Sequence, residues 1–361
     1  MANERIFNFS AGPSMLPLSV LERAGSEITN LGGSGMSVME MSHRSKPFIA
    51  VFEETKAKLK ATLGVPDNYE ILFLQGGATM QFSMIPMNFM ADGIADYAVT
   101  GNFSGLAYKE AKKFGQVNLA ASSEAENHTY IPAQADLNLT DSAAYFHYCA
   151  NNTIFGTEWK YVPETGATPL VCDMSSNILS KPVDVSRYGL IYAGAQKNMA
   201  PAGMTVVIVH KDLLDRCDGG KLPTMLNYAT MVKGDSMHNT PPCWCIYMIG
   251  LVLDWIADMG GLSGMQTFNE EKAALLYAAL EGTKNFVLPA KTEARSIMNV
   301  TFRTGSEELD EVFIKEAAAQ GLSTLKGHRL VGGMRASIYN AMPMEGVKKL
   351  ADFIKEFDAK H

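Results

Sequence analysis

Residues 70–90 read EILFLQGGATMQFSMIPMNFM and hold the pattern that decides the fold. An apolar run at residues 71–74 is followed by the glycine pair Gly76-Gly77 and then by a stretch of helical length at residues 80–90. A continuous apolar run without alternation is typical of a strand that is covered on both faces. The segment therefore predicts a strand, a tight turn and a helix, the unit from which α/β proteins are built.

The same alternation of strands and helices continues to residue 210. A second helical stretch occupies residues 105–114, and further strand-like runs occupy residues 96–99, 116–120, 144–148, 169–173, 190–193 and 205–209. We predict an α/β fold in which a mostly parallel seven-stranded sheet is covered by helices. Ligands are expected at the carboxyl ends of the strands.

The chain after residue 260 has a different pattern. It contains helices and strand-like runs in the order helix 262–283, strand 297–303, helix 306–320, strand 334–337 and amphipathic helix 344–358. These elements predict a smaller C-terminal α+β domain of residues 261–361. The glycine pair Gly260-Gly261 separates it from a large domain of residues 16–260, in which we expect the ligand-binding site.

The composition argues against several classes of protein. Of the 361 residues, 47% are hydrophobic and 19% are charged, as in ordinary folded proteins. The net charge of −7 argues against nucleic acid or a membrane surface as a partner, since both are bound by an excess of basic residues. We expect a cytoplasmic protein without a membrane span or signal peptide, with five reduced cysteines and no metal site.

The stretch Gly76-Gly77-Ala78-Thr79 is the first candidate for chemistry. Glycines between a strand and a helix let backbone N–H groups close on a phosphate, and the helix N-terminus adds a partial positive charge. The hydroxyl of Thr79 would add another donor. A plain tight turn is an equal alternative, because the stretch matches neither the dinucleotide fingerprint nor the Walker A pattern.

Asp173 and Lys197 are the other two candidates. Asp173 closes a strand-like run, where it is either a turn residue or a carboxylate that faces a ligand cation. Lys197 follows the run at 190–193 and has small, apolar neighbours. It is therefore either a surface lysine or an enclosed amine, which is a good nucleophile toward carbonyl groups. Pyridoxal phosphate needs three groups of this kind. Its phosphate needs backbone donors, its ring nitrogen needs a carboxylate, and its aldehyde needs a lysine.

Six motifs carry a resemblance to a known family. They are FNFSAGP (7–13), MEMSHRSK (39–46), QGGATMQF (75–82), AGAQKN (193–198), HNTP (238–241) and KGHRLVGGMRASIYNAMP (326–343). On these motifs the chain resembles the phosphoserine aminotransferase family, fold type I pyridoxal-phosphate enzymes of the class V aminotransferase group. The resemblance implies pyridoxal 5'-phosphate as cofactor, a homodimer with shared active sites, and a segment of residues 1–15 that packs near the active site.

The resemblance also implies a role for each site residue. Lys197 matches the lysine that forms the Schiff base, and Asp173 matches the partner of the pyridine nitrogen. The cofactor-binding residues that it implies are Ala78, Thr79, Phe103, Thr153, Asp173, Gln196, Lys197, Asn239 and Thr240, of which the last two reach across from the other subunit. The substrate-binding residues are His43, Arg44, His328, Arg329 and Arg335, of which His43 and Arg44 come from the neighbouring protomer.

Two of these positions depart from the family pattern, and one has a physical argument of its own. The aromatic residue that stacks on the pyridine ring is usually Trp, and here it is Phe103. Some relatives have Arg in place of Thr79, so one cation near the distal end of the substrate is missing. Arg335 lies in an apolar strand context where a guanidinium should be paired, and it suits a bidentate clamp on a substrate α-carboxylate.

The activity that the resemblance implies is transfer of an amino group between L-glutamate and 3-phosphohydroxypyruvate, which gives O-phospho-L-serine and 2-oxoglutarate. Such an enzyme serves serine biosynthesis, and by the same resemblance it also serves pyridoxine biosynthesis. Three alternatives stay open. They are a serine–pyruvate type of class V transaminase, a cysteine desulfurase, and a non-catalytic phosphate- or nucleotide-binding protein.

Overall fold

The computed structural model describes residues 5–217 and 222–361. Its strands are β1 (Phe7–Asn8), β2 (Tyr69–Leu74), β3 (Ile94–Val99), β4 (Gln116–Ser122), β5 (Phe146–Cys149), β6 (Asn151–Asn152), β7 (Thr157–Glu158), β8 (Leu170–Asp173), β9 (Leu190–Gly194), β10 (Thr205–His210), β11 (Asn299–Phe302), β12 (Leu322–Ser323) and β13 (Met334–Ser337). Its α-helices are α1 (Leu18–Glu27), α2 (Lys46–Leu63), α3 (Gly77–Phe89), α4 (Asn102–Ala111), α5 (Lys211–Leu214), α6 (Tyr228–Lys233), α7 (Cys243–Asp258), α8 (Gly261–Glu281), α9 (Glu307–Ala319) and α10 (Met344–Lys360).

The central sheet of the described residues has seven strands in the order β2-β10-β9-β8-β5-β3-β4. β10 is antiparallel to both of its neighbours, and the other neighbouring pairs are parallel. Residues 195–204, which join β9 to β10, are too few for the crossover that a parallel pair requires, so β10 returns antiparallel. The structure confirms the mostly parallel sheet and all seven predicted strands.

Helices cover both faces of this sheet, which explains the continuous apolar runs. In β2, Ile71 and Phe73 pack in one core cluster with Phe52 of α2 and Ile249 of α7. The alternate residues of β2, Leu72 and Leu74, lie in a second core cluster with side chains of α3 and α4. Since successive side chains of a strand point to opposite faces, every position of such a strand must be apolar.

The direction of the strands brings the candidate residues together. β2, β3, β5, β8 and β9 run the same way, so their carboxyl ends meet at one edge of the sheet. At this edge lie the residues that follow or close those strands, namely Gly76–Thr79, Phe103, Thr153, Asp173 and Lys197. The predicted site is therefore at the predicted edge.

The C-terminal elements form their own core around a two-stranded antiparallel sheet of β11 and β13. Leu276 of α8, Phe313 of α9 and Phe353 of α10 pack together there. β1 pairs in parallel with β12, so the N-terminal segment joins this part of the chain. The predicted helices and strands after residue 260 are confirmed, whereas the domain boundaries at residues 15 and 260 stay predictions. Residues 1–4 and 218–221, which fall within the first two predicted units, lie outside the described residues.

Helix α7 is the most apolar helix next to the sheet. Among the described residues no single helix is long and apolar enough to cross a membrane. α7 and α8 meet that criterion only as a pair bent by 79°, by length and composition. Most of α7 is buried in the core cluster against α2, so its apolar character is accounted for by packing.

Candidate active site

Lys197 follows β9 and is held by the N-terminal segment. The hydroxyl of Ser14 donates to the carbonyl oxygen of Lys197, and the backbone N–H of Ser14 donates to the carbonyl oxygen of Gln196 at 2.9 Å. Gly12, with a φ of 139°, passes so close that a Cβ there would lie 3.4 Å from Cγ of Lys197. The backbone of Lys197 is thus fixed while its amine extends toward the sheet edge.

The amine of Lys197 is half-buried and has one hydrogen-bond partner among the described residues, the hydroxyl oxygen of Thr153 at 2.8 Å. Within the same residues it forms no ion pair with a carboxylate. Burial is the main cause that lowers the pKa of Lys197, and the charge of Arg335 acts in the same direction, while Asp173 opposes both. A lowered pKa provides more free amine near neutral pH, which is the form that attacks a carbonyl carbon.

Asp173 closes β8 and is 4% exposed. Its Oδ1 accepts the backbone N–H of Ser175 at 2.8 Å, and the Ser175 hydroxyl accepts the N–H of Gly194 at 3.0 Å. Asp173 is therefore a turn residue, which is the first of the two alternatives given in the sequence analysis. Its Oδ2 has no donor among the described residues, so the same carboxylate can also bind a cationic ring nitrogen.

Phe103 and Thr153 flank the amine of Lys197. The ring centroid of Phe103, on α4, lies 5.3 Å from Nζ of Lys197. Thr153 is buried, and its backbone carbonyl accepts a hydrogen bond from Nη1 of Arg335 at 3.3 Å. Phe103 thus offers a flat apolar face beside the nucleophile, and Thr153 links the amine to the guanidinium.

The turn before α3 can bind an anion. Gly76 and Gly77 have φ values of 89° and 67°, and a Cβ at Gly76 would lie 2.7 Å from that of Met80, so glycine is required there. Among the described residues the first turn of α3 has neither a side-chain cap nor an acidic residue. The N–H groups of Ala78 and Thr79 therefore remain for a phosphate at the helix N-terminus.

Three further predicted cofactor residues lie near this turn or near Lys197. Asn239 donates to Oε1 of Gln75 at 3.3 Å, and Nε2 of Gln75 donates to the carbonyl oxygen of Thr240 at 3.0 Å. These contacts put Asn239 and Thr240 beside the residue that precedes Gly76 of their own chain. The side chain of Gln196 is half-buried and has no hydrogen bond within the described residues.

Arg335 lies on β13, opposite Thr301 of β11. It is half-buried, and burial lowers its pKa. Its Nε is shielded from solvent and has no hydrogen-bond partner among the described residues, where Arg335 also forms no ion pair. A buried unpartnered donor is costly, so this guanidinium needs an anionic ligand.

His328 and Arg329 lie in a loop that is closed at its base by a hydrogen bond from Gly327 N–H to the Gly333 carbonyl at 2.8 Å. Arg329 is exposed. Burial, together with the charges of Arg335 and Arg329, lowers the pKa of His328. The loop lies beside β13, because the N–H of Arg335 donates to the carbonyl oxygen of Leu325 at 2.7 Å. The site therefore has a cationic end next to Arg335.

His43 and Arg44 are not joined to this cluster. Arg44 is exposed, whereas His43 is 7% exposed and its Nε2 has no partner in the described part of the chain. No hydrogen bond or ion pair between described residues connects either side chain to Lys197 or Arg335. That they serve the site of a neighbouring protomer stays a prediction.

Two contributors to the site were missed in the sequence. Ser14 fixes the backbone of Lys197, and Ser175 orients both Asp173 and the end of β9. Ser14 directly follows the FNFSAGP motif, and Ser175 directly follows the Asp173-Met174 pair, so adjacency was the only available signal. Both act through hydrogen bonds that involve the backbone, which no periodicity or residue spacing indicates.

The groups at the sheet edge fit pyridoxal phosphate. The amine of Lys197, with its lowered pKa, matches the aldehyde, and the buried carboxylate of Asp173 matches the ring nitrogen. The ring of Phe103 matches the face of the pyridine ring, and the open N-terminus of α3 matches the phosphate. The unpartnered Nε of Arg335 matches a further anion, such as the carboxylate of an amino acid.

Comparisons with known proteins agree with this chemistry. The profile of the family described as Aminotransferase class-V matches residues 6–350. The phosphoserine aminotransferase of Geobacillus kaustophilus is 53% identical over 356 residues, which cover 98% of each chain. A solved phosphoserine aminotransferase from Bacillus circulans subsp. alkalophilus is 49% identical over 99% of each chain, with a TM-score of 0.97. A PLP-bound phosphoserine aminotransferase from Trichomonas vaginalis is 42% identical, with a TM-score of 0.93 over 97% of this chain and 100% of that one.

Proposed function

The chain belongs to the phosphoserine aminotransferases of the class V aminotransferase family, and we propose that it transfers an amino group from L-glutamate to 3-phosphohydroxypyruvate in serine biosynthesis. The observation that carries this proposal is the pairing of Lys197, as a reactive amine, with a cationic end made by Arg335, His328 and Arg329. An α-carboxylate and a distal phosphate require two anion sites of this kind. The use of the enzyme in pyridoxine biosynthesis stays a prediction.

The residues around Lys197 divide the chemical work. When bound, pyridoxal 5'-phosphate withdraws electrons from the substrate Cα, which makes the Cα–H bond acidic. Asp173 would hold a proton on the ring nitrogen by a charge-assisted hydrogen bond. Lys197 would bind the aldehyde and, as a free amine, would move the proton of the substrate Cα. Phe103 would lie against the ring and limit the access of water.

Different cationic residues bind the two anionic ends of the substrate. Arg335, which reaches Thr153 and thereby the amine of Lys197, binds the α-carboxylate that all amino acids share. His328 and Arg329 bind the distal phosphate, together with His43 and Arg44 of a neighbouring protomer. A phosphate carries nearly two negative charges, so it gains more from this cluster than a carboxylate does.

The ratio of kcat/KM for phosphoserine to that for serine tests this function. The phosphate forms at least two charge-assisted hydrogen bonds, each worth roughly 1.5–3 kcal/mol, so a wild-type ratio of about 10²–10⁴ is expected. Arg329→Ala and Arg44→Ala should each lower the ratio about ten- to a hundredfold. Arg335→Ala should lower both kcat/KM values and leave the ratio nearly unchanged.

Lys355→Ala, which removes an exposed cation from α10, is the matched control and should change neither value. A wild-type ratio near one would refute a phosphoserine transaminase and favour the serine–pyruvate type. If only Arg335→Ala lowers the phosphoserine-to-serine ratio, Arg335 binds the phosphate and the assignment of the two substrate ends is reversed. Absence of any transamination with added cofactor would leave the cysteine desulfurase and the binding-protein alternatives.

A homodimer and residence in the cytoplasm are part of the proposal. Met39, four residues before His43, and Met80, beside the glycine turn, are exposed by 56% and 37%. Large apolar side chains next to the residues assigned to a shared site support an interface there. The five free thiols support a reducing compartment.

Exchange of subunits between two variants with impaired activity toward phosphoserine tests the shared site. A heterodimer of a Lys197→Ala protomer with an Arg44→Ala protomer has one site with both lesions and one site with none. Since half of the dimers are heterodimers after full exchange, about a quarter of the sites should regain normal kcat/KM for phosphoserine. If each protomer holds a complete site, the mixture stays at the mean of the two homodimers, and the shared-site assignment of Arg44 is wrong.

A further inference from the structure

Lys272 is a fully buried lysine that the proposed chemistry does not use. It lies on α8 with an exposure of 0%, and among the described residues it forms no ion pair with a carboxylate. Burial lowers its pKa. A lysine is almost never buried without partners, so its neighbours must explain its presence.

The hydrogen-bond partners of Lys272 among the described residues are backbone carbonyl groups of a single turn, and its Nζ also lies 4.5 Å from the ring centroid of Phe268. Its Nζ donates to the carbonyl oxygens of Asn340 at 3.1 Å and Met342 at 3.2 Å, to that of Tyr339, and more weakly to that of Ile338 at 3.4 Å. An ammonium group has three N–H donors and no acceptor, so it suits a nest of carbonyl oxygens. The amine therefore holds the backbone of residues 338–342 in its turn conformation through these hydrogen bonds.

This turn is strained at Tyr339. Its φ of 28° lies in the left-handed region, which a bulky residue other than glycine enters at a cost of roughly 1–2 kcal/mol. Such a conformation persists only where the surroundings over-determine it. The contacts of Lys272 with the carbonyl of Tyr339 and of its two neighbours supply that determination from inside the fold.

The turn joins the two halves of the proposed active site. It directly follows β13, which carries Arg335. The backbone N–H of Asn340 donates to Oδ1 of Asn198 at 3.0 Å, and Asn198 is the neighbour of Lys197. The hydroxyl of Tyr339 donates to the carbonyl oxygen of Ala11, in the segment that also fixes Lys197 through Ser14.

We propose that Lys272 is a positioning residue, whose ammonium group holds the turn at residues 338–342 and thereby sets the distance between Arg335 and Lys197. This inference rests on the proposed transamination. Arg335 binds the carboxylate common to both substrates, so an error in its position weakens binding of L-glutamate and phosphoserine alike. The residues proposed to hold the cofactor phosphate, Gly76–Thr79, make no hydrogen bond with the turn among the described residues, so cofactor retention should not change.

Lys272→Met keeps the length of the side chain and removes the three donors. We expect KM for both L-glutamate and phosphoserine to rise about tenfold or more by the same factor, because displacement of a binding group by ~1 Å costs up to about a hundredfold. Bound cofactor per subunit should equal that of the wild type. Met265→Ala is the matched control, since it removes a fully buried side chain two turns earlier on α8 that packs in the core cluster of the central sheet, whereas Ile338 and Met342 of the turn lie in the C-terminal core cluster. It should lower the melting temperature and leave KM unchanged.

Asn198→Ala cuts the same connection from the other end and provides a second test if Lys272→Met does not fold. Asn198→Ala should raise KM in the same way. The double variant should have a KM no higher than that of the more impaired single variant, because both substitutions break the same connection. Unchanged KM in either single variant, additive losses in the double variant, or an equal rise in Met265→Ala would overturn the role of Lys272. An inactive wild type would instead refute the proposed function, so the two failures are distinguishable.

Discussion

Lys197→Ala is expected to lower kcat for amino transfer from L-glutamate to 3-phosphohydroxypyruvate by at least about 10³-fold. The variant loses both the group that binds the aldehyde and the base that takes the proton from Cα, and general base catalysis alone contributes about 10²–10⁴-fold. Melting temperature should stay close to that of the wild type, because the side chain has one hydrogen bond, to Thr153. The measurements are formation of 2-oxoglutarate, thermal unfolding and bound cofactor per subunit.

Added small amines distinguish the role as base from a structural role. Ethylamine or methylamine that diffuses into the space left by Lys197→Ala should restore part of kcat, in proportion to the concentration of free amine. Lys113→Ala removes an exposed lysine and is the control, which should be neither impaired nor stimulated. If Lys197→Ala keeps more than a few per cent of the parental kcat, another group carries the proton and the assignment of Lys197 is wrong.

The sheet could be predicted from the sequence because each of its strands obeys a simple local rule. A strand between two layers of helices must be apolar at every position, and Ile71, Leu72, Phe73 and Leu74 satisfy that rule. The helices of the second layer were not located in advance. α7 is apolar almost all round, since it is buried against both the sheet and α2, so it lacks the amphipathic period that reveals a surface helix.

The candidate site could be predicted as far as it depends on residues that end strands. Asp173 and Lys197 stand directly after apolar runs, and parallel strands bring such residues to one edge. Their supports could not be predicted in this way, because they depend on long-range backbone contacts. Lys272 lies in the stretch NEEKAA (269–274), where its charged neighbours make it look like a solvated residue of a surface helix. Only the fold shows that it faces the carbonyl groups of residues 338–342.

Asp173→Asn is expected to lower kcat about 10²–10³-fold while it preserves the fold. A carboxylate about 4 Å from a cation gains about 4 kcal/mol at an effective dielectric constant near 20, before desolvation is counted, which corresponds to about a thousandfold. An amide does not carry this charge, so the ring nitrogen loses its proton and the Cα–H bond becomes less acidic. Breaking of that bond should then limit the rate, and L-glutamate deuterated at Cα should show a larger kinetic isotope effect on kcat than in the wild type.

The turn at Asp173 provides the control for a purely structural effect. An asparagine can still accept the N–H of Ser175 through Oδ1, so the turn should persist in the variant. Asp184 accepts the equivalent hydrogen bond, since the N–H of Ser186 donates to its Oδ1 at 3.1 Å, but Asp184 is exposed. Asp184→Asn should therefore change neither kcat nor the isotope effect. If Asp173→Asn also keeps the parental rate and isotope effect, its buried carboxylate serves the turn alone, and the ring nitrogen takes its proton from another source.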